Sequence, residues 1–157
     1  MNKRLTILLG ILILAFTAVL LFNEKGELLT VKPNYKEGWL VPGGATDHDE
    51  SPMNCARRET KEEVGLDITE LQLVGVYYGP KKGVFTDSIK FIFSGGTLTE
   101  SQIQQITLQK DELDEYVFMS PENAVLLLSP SLQKSVPACL EAMKNHTVAY
   151  IDIESQS

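Results

Sequence analysis

The sequence predicts an α/β (α+β) fold in which strands and helices belong to one domain. Three patterns support this fold class. An apolar run near the N-terminal end leads into a Gly-containing turn and a second apolar segment, as in a β-hairpin. A helical pattern lies between Ser51 and Gly65. Further β-rich runs and Ser-Pro helix starts follow it.

Length and composition favour one domain spanning residues 1–157. A chain of this size is long enough to bury a hydrophobic core. The net charge of −7 argues against binding to a long nucleic acid backbone. It does not exclude a mononucleotide site in which a metal ion bridges the phosphates. Two cysteines, Cys55 and Cys139, are too few for a disulfide framework.

The N-terminal segment admits two interpretations. Leu5–Phe22 is an apolar run of 18 residues, at the threshold for a transmembrane helix, and Lys3 and Arg4 before it suit an inside-facing flank. The competing interpretation is a hairpin in which Ala15–Phe22 pairs with residues 27–32 across the Gly-containing turn. We favour the hairpin, because the second strand needs the first one to bury it.

The two interpretations predict different locations for the protein. The hairpin predicts a cytoplasmic protein, whereas a helix over residues 5–22 predicts a membrane anchor. Residues 1–13 belong either to an extra strand or to part of the membrane segment.

The elements in the middle of the chain follow from turn residues and β-rich runs. Trp39–Val41 is predicted to be a short strand, and residues 42–44 a tight turn. Leu71–Tyr78 and Val84–Phe93 are predicted to pair as a second hairpin.

The C-terminal part is predicted to contain five elements. In order, these are a strand or loop near the sheet edge at Ser101–Leu108, a strand at Tyr116–Met119, a helix from Pro121 to Leu128, a helix from Pro130 to about Asn145, and a last strand within residues 146–153. Pro137 is expected to kink or split the second helix.

The helix between Ser51 and Gly65 carries three carboxylates on one face. Glu59, Glu62 and Glu63 stand at positions i, i+3 and i+4, so their side chains project together. Three like charges repel, and a hard divalent cation removes that cost because Mg²⁺ and Mn²⁺ prefer oxygen ligands. Taken alone, this face fits an ordinary solvated acidic surface as well as a metal site.

The three glutamates are part of a longer sequence pattern that begins at Gly44. Gly44 is followed after five residues by Glu50, and after seven more by Arg58-Glu59, Glu62-Glu63 and Gly65. The pattern resembles the signature of Nudix hydrolases, with one departure at Thr60, where that family usually has an aliphatic residue. The resemblance implies an α/β/α sandwich with a mixed sheet and a Gly44 carbonyl close to a bound metal.

The resemblance also implies roles for individual residues. Glu59, Glu62 and Glu63, with Gly44, are the expected ligands of Mg²⁺, with Mn²⁺ as the alternative. Glu59, Glu62, Arg58 and Glu112 are the expected catalytic residues, and Glu50 supports them. Glu112 belongs to a second acidic cluster, Asp111–Glu115, and is the candidate that orients or deprotonates the attacking water. The candidate substrate-binding residues are Lys32, Tyr35, Trp39, Tyr77 and Phe85.

The expected reaction is metal-dependent hydrolysis of a nucleoside diphosphate linked to another group, X. The expected partner is a small nucleotide-type molecule, a homodimer is a further candidate, and a membrane is less favoured. Three alternatives stay open: a non-catalytic nucleotide sensor, a membrane-tethered hydrolase, and an isomerase of isoprenoid diphosphates. The isomerase needs a catalytic cysteine outside the signature.

Overall fold

The computed structural model describes residues 13–80 and 87–152. In this part of the chain the elements are β1 (Leu14–Phe22), β2 (Leu28–Pro33), α1 (Pro52–Val64), β3 (Gln72–Gly79), β4 (Ser88–Thr97), α2 (Glu100–Gln104), β5 (Leu113–Met119), α3 (Pro121–Leu127), α4 (Pro130–Lys144) and β6 (Ala149–Asp152). The strands form one mixed sheet in the order β5-β2-β1-β4-β3-β6. This is the α+β architecture that the sequence predicts.

Strand β1 lies in the interior of the sheet. It runs antiparallel to β2 and parallel to β4, and Val19, Leu20 and Leu21 are fully buried. Residues 14–22 are therefore a core strand, as the hairpin interpretation predicts. The rest of the apolar run, residues 5–12, lies outside the described residues. Within the described ranges, no helix is long and apolar enough to cross a membrane.

Alternate residues of β1 face two separate hydrophobic cores, because successive side chains of a strand point to opposite faces. Val19 and Leu21 pack on the side of the sheet covered by α1. Ala18 and Leu20 pack on the other side, which is covered by α3 and α4. The sheet thus lies between two helical layers.

Strands β1 and β2 are paired at Phe22 and Leu28 and then diverge. Residues 39–44 lie between the two strands where they have separated. The Leu40 amide donates to the Val31 carbonyl of β2 at 2.9 Å. On the other side, the Thr17 amide of β1 donates to the Gly44 carbonyl at 2.8 Å. The segment that was expected to be a short strand and a turn is thus held in the sheet by isolated bridges.

Two of the C-terminal expectations are only partly right. Residues 106–108 lie in a loop, as expected. The segment expected to be a strand or loop at Ser101–Leu108 begins inside helix α2, which starts with a capping box between Thr99 and Gln102. Helix α4 runs through Pro137 as one helix, so Pro137 does not split it, and a kink at Pro137 stays a prediction. The second hairpin forms between β3 and β4, but residues 84–86 of its predicted second strand lie outside the described residues.

Candidate active site

Helix α1 is defined at both ends by its sequence. The Ser51 hydroxyl accepts a hydrogen bond from the Asn54 amide at 3.2 Å, and Pro52 occupies the first turn. The helix ends at Gly65, whose amide donates to the Lys61 carbonyl. The unusual residue of the signature, Thr60, is fully buried and donates its hydroxyl to the Ala56 carbonyl at 2.7 Å. Because its hydroxyl has this partner, threonine is compatible with the apolar face.

The three carboxylates of α1 differ in burial. Glu63 is only 6% exposed, whereas the side chains of Glu59 and Glu62 are 16% and 48% exposed. Burial, together with the charges of Glu59, Glu112 and Glu62, raises the pKa of Glu63 to about 8, although the hydrogen bond from the Gly43 amide opposes this shift. Burial also raises the pKa of Glu59, opposed by Arg58. This face of the helix therefore carries negative charge that the chain neutralises incompletely.

Gly43 and Gly44 bring the backbone against these carboxylates. The Gly43 amide donates to Glu63 Oε2 at 3.0 Å. Gly43 has a φ of 154°, and a Cβ there would collide with the Thr17 carbonyl oxygen. At Gly44 a Cβ would lie 2.6 Å from the carboxylate carbon of Glu59. Gly43 therefore requires glycine, whereas a side chain at Gly44 would displace the carboxylate of Glu59.

Arg58 joins the acidic residues of the site. Its Nε and one terminal nitrogen donate to the two oxygens of Glu50, at 2.8 and 3.0 Å. The other terminal nitrogen donates to Glu59 at 2.8 Å and to Glu62 at 3.1 Å. The hydrogen bond from Arg58 lowers the pKa of Glu50. A bidentate contact of this kind fixes the orientation of both side chains.

Glu112 reaches the site because the loop before β5 binds the end of α1. The Gln109 amide donates to the Glu63 carbonyl at 3.0 Å, and the Glu112 amide donates to the Gln109 carbonyl. The charge of Glu112 raises the pKa of both Glu59 and Glu63, after burial in each case. Glu115 instead lies 4.0 Å from the ammonium of Lys32. Of these two glutamates in the second acidic cluster, Glu112 is the one whose charge is coupled to the helix.

These side chains fit a hard divalent cation. Across the described part of the chain, no three carboxylate, imidazole or thiolate groups already converge on one point. The carboxylates of Glu59 and Glu62 point instead at one nitrogen of Arg58. All the donors are nevertheless oxygens, which Mg²⁺ and Mn²⁺ prefer. Burial and then the neighbouring carboxylates raise the pKa of Glu63, and a bound cation would favour its ionised form.

The predicted substrate-binding residues have different surroundings. Tyr35 is 62% exposed, and its pKa is raised by burial of the hydroxyl and by the charges of Glu63, Glu112 and Glu59. Lys32 lies 5.9 Å from the ring centroid of Trp39, which packs partly against the core. Tyr77 was also predicted to bind substrate, but this residue is only 6% exposed and packs in the hydrophobic core. Phe85 lies outside the described residues.

The sequence analysis missed Lys90, which lines a cavity of about 280 Å³ together with Tyr35, Lys36, Gly43 and Gly44. Its ammonium donates to the Ser131 hydroxyl at 2.9 Å. Burial, and to a smaller extent the charge of Lys36, lowers its pKa to about 8. The signal was a single charge inside the otherwise apolar run Ile89-Lys90-Phe91-Ile92-Phe93 of a central strand.

Comparisons with known proteins agree with this fold. The NUDIX domain family model matches residues 12–139. A putative 8-oxo-dGTP diphosphatase from Bacillus subtilis is 30% identical over 118 residues, which cover 75% of this chain and 74% of that protein. An RNA pyrophosphohydrolase from a Marinomonas species is 39% identical over 57 residues, covering 36% of this chain and 35% of that protein. Three curated relatives are matched over only 34 to 62% of their own length.

A solved structure, the MutT protein from Methanosarcina mazei Go1, superposes with a TM-score of 0.68. The two chains are 23% identical, and the match covers 85% of this chain and 94% of the other. At this identity the superposition establishes the shared fold.

Proposed function

The chain belongs to the Nudix hydrolase family, and from that premise we propose that it hydrolyses a diphosphate bond in nucleoside diphosphates linked to another group, X. The observation that carries the proposal is the coupling of Glu59, Glu62, Glu63 and Glu112 at one site, where Arg58 is the cation that contacts two of them. A cluster of this charge repels an anionic substrate unless a divalent cation is bound with it.

The residues that would hold Mg²⁺ or Mn²⁺ are Glu59, Glu62 and Glu63, with the Gly44 carbonyl. A bound divalent ion there supplies charge neutralisation of phosphate oxygens and a lowered pKa for bound water. Arg58 orients Glu59 and Glu62 through one terminal nitrogen, and the Glu50 carboxylate holds the guanidinium in that orientation.

Glu112 is the proposed acceptor of the water proton. It lies outside the signature, and the loop that ends at β5 delivers its charge to the same cluster. A carboxylate in this position orients the attacking water and removes its proton.

The substrate is proposed to be a small nucleotide-type molecule. The names of these curated relatives refer to RNA and to 8-oxo-dGTP, and to cleavage at a diphosphate. Their shared chemistry is a diphosphate linkage next to a nucleoside. The net charge of −7 disfavours extended nucleic acid as the substrate.

The isomerase alternative requires an accessible cysteine outside the signature, and Cys139 does not meet this requirement. Cys139 is fully buried, and burial raises the pKa of its thiol to about 12. A nucleophilic or acid-base cysteine needs a thiol that ionises far more easily. Hydrolysis is therefore the function that the site supports.

A product-release screen tests the proposal. Purified protein is incubated with nucleoside triphosphates, ADP-ribose, dinucleoside polyphosphates and nucleotide sugars, with Mg²⁺ or Mn²⁺ and then with excess chelator. We expect turnover of at least one class with metal and none with chelator. Glu62→Gln should lower turnover by at least ~10²-fold with the fold intact, whereas Glu141→Gln, on helix α4, should not. Undiminished turnover in chelator would show that the carboxylates have another role.

A further inference from the structure

A cavity of about 280 Å³ adjoins the acidic cluster. Gly43 and Gly44 line this cavity and also contact the carboxylates of Glu63 and Glu59. Tyr35 also lines the cavity, and its pKa is raised by burial and then by the charges of Glu63, Glu112 and Glu59. A substrate whose diphosphate lies at the acidic cluster would therefore extend its remaining groups into this cavity.

Two lysines face the cavity from different elements. Lys90 comes from the central strand β4, and Lys36 comes from the loop after β2. Burial lowers the pKa of Lys90, and the charge of Lys36 adds to this effect. The cavity is thus lined by two positively charged side chains, whereas the carboxylate cluster on the other side of Gly44 is negatively charged.

The position of the Lys90 ammonium is set by neighbouring residues of the fold. Side chains alternate along β4, so Lys90 points to the same face of the sheet as Ile92, which is buried in the core beneath α4. The Ser131 hydroxyl at the start of α4 accepts its hydrogen bond at 2.9 Å. Among the described residues, no carboxylate forms an ion pair with Lys90.

Lys90 is half-buried, so its side chain is partly removed from water. A charged group that is removed from water without an opposite charge destabilises the folded state unless a ligand supplies that charge. A neutral hydroxyl satisfies one of the three N–H donors of the ammonium. Lys90 lines the same cavity as Lys36, so an anion in that cavity could satisfy its remaining donors.

We propose that Lys90 and Lys36 form an anion-binding subsite that selects substrates carrying an anionic group beyond the diphosphate held at the acidic cluster. The group is a further phosphate of the chain or a carboxylate or phosphate on X. Lys90 binds it by charge-assisted hydrogen bonds, and Lys36 contributes long-range attraction and closes the cavity. This inference rests on the proposed function for its role in turnover, but not for the binding of the anion.

Sulfate is a probe that separates this subsite from the metal site. In buffer with chelator the carboxylate cluster repels sulfate, so saturable binding in a calorimetric titration reports the lysines. Lys90→Met and Lys90→Gln should weaken binding at least ~10-fold, and Lys36→Met should weaken it less. Lys144→Met serves as the control, because Lys144 lies at the far end of α4 beside Glu141, and it should leave binding unchanged.

The two Lys90 variants retain different properties of the lysine side chain. Lys90→Met retains the length of the side chain without charge, and Lys90→Gln also retains a polar end for Ser131, so the test does not depend on one variant that fails to fold. In the wild-type protein, sulfate should also slow acylation of Lys90 by an amine-reactive ester, measured by peptide mass spectrometry. Absence of saturable sulfate binding, or binding that both Lys90 variants keep, overturns the proposal.

Matched substrates identify the source of the anion. UDP-glucuronate and UDP-glucose differ by one carboxylate on X, and ATP and ADP differ by one phosphate of the chain. With Mg²⁺, we expect kcat/KM to favour the more anionic member of one pair, and Lys90→Met to remove that preference. If neither pair shows a preference that depends on Lys90, the subsite does not select substrates. Hydrolysis that persists without such a preference would leave the proposed function standing and remove only this inference.

Discussion

The amide of Gly43 donates a hydrogen bond to Glu63 Oε2 at 3.0 Å, so the turn that precedes α1 along the chain holds the most buried carboxylate on that helix. This contact only partly offsets the burial of Glu63. The pKa of Glu63 is raised from 4.5 to about 8, first by burial and then by Glu59, Glu112 and Glu62. The metal-free protein therefore holds a proton at Glu63 that the unfolded chain releases at lower pH.

The stability of the metal-free protein should fall as the pH rises from about 5 to about 8. In that window the folded state binds the proton of Glu63 more tightly than the unfolded state does, so deprotonation costs stability. About 1 kcal/mol corresponds to about 2–4 °C for a domain of this size, and we expect a fall of several degrees in melting temperature. Glu63→Gln, which keeps an acceptor for the Gly43 amide, should flatten this dependence.

Mg²⁺ should change the same melting curve in the opposite direction. A metal ion bound by the ionised carboxylate stabilises the folded state through mass action. The increase in melting temperature on adding Mg²⁺ should thus be larger at pH 8 than at pH 5.5 for the wild-type protein. An equal increase at both values would show that Glu63 does not take part in metal binding.

Arg58 and Arg57 allow a matched test of the orienting contact. Arg58→Lys removes the bidentate hydrogen bonds to Glu50 and the fork that reaches Glu59, while it keeps a positive charge. We expect turnover to fall about 10–100-fold, the usual cost of losing a group that orients metal ligands. Arg57→Lys is the control, because Arg57 contacts the Thr69 carbonyl and Asn54. Equal losses from the two variants would indicate an effect on the helix and not on the site.

Glu112 and Glu115 belong to one acidic cluster and should behave differently. Glu112 is coupled to Glu59 and Glu63, whereas Glu115 lies against Lys32. Glu112→Gln should lower turnover by at least ~10²-fold, as expected for loss of a general base, with little change in metal affinity measured by titration. Glu115→Gln should have a small effect. The opposite ranking would transfer the role to Glu115, and no effect from either would leave the base on another residue.

The sequence predicts the parts of the site that are local in the chain. The spacing of Glu59, Glu62 and Glu63 is a property of one helix, so their shared face follows from 3.6 residues per turn. The caps at Ser51 and Gly65 follow from local backbone chemistry in the same way.

The parts that depend on tertiary contacts were harder to predict. Glu112 is placed by hydrogen bonds between its loop and the end of α1, which no local pattern encodes. Lys90 was missed because its strand was assigned from its apolar neighbours, and the burial of Tyr77 depends on which face of β3 the α4 helix covers. The helix at the start of Ser101–Leu108 could have been predicted from the sequence, because Thr99 and Gln102 have the spacing of a capping box.

Strand β1 offers a direct test of the N-terminal interpretation. Val19 is fully buried between β2 and β4, whereas Ile13, just before the strand, is 46% exposed. Val19→Asp should cost several kcal/mol of unfolding free energy, because it buries a charge without a partner, and Ile13→Asp should change stability little. The measurement is a denaturant titration of each purified variant. A Val19→Asp variant as stable as the wild type would contradict a core strand at residues 14–22.

Deletion of residues 1–22 extends this test to the catalytic domain. The deletion removes β1, whose neighbours in the sheet are β2 and β4, and so exposes unpaired edges on both. It also removes Thr17, whose amide binds the Gly44 carbonyl beside Glu59. We therefore expect the truncated chain to aggregate and to lose activity, measured by size-exclusion chromatography and by the product-release assay. A monodisperse, active truncation would show that these residues are dispensable for the fold, as the membrane-anchor interpretation requires.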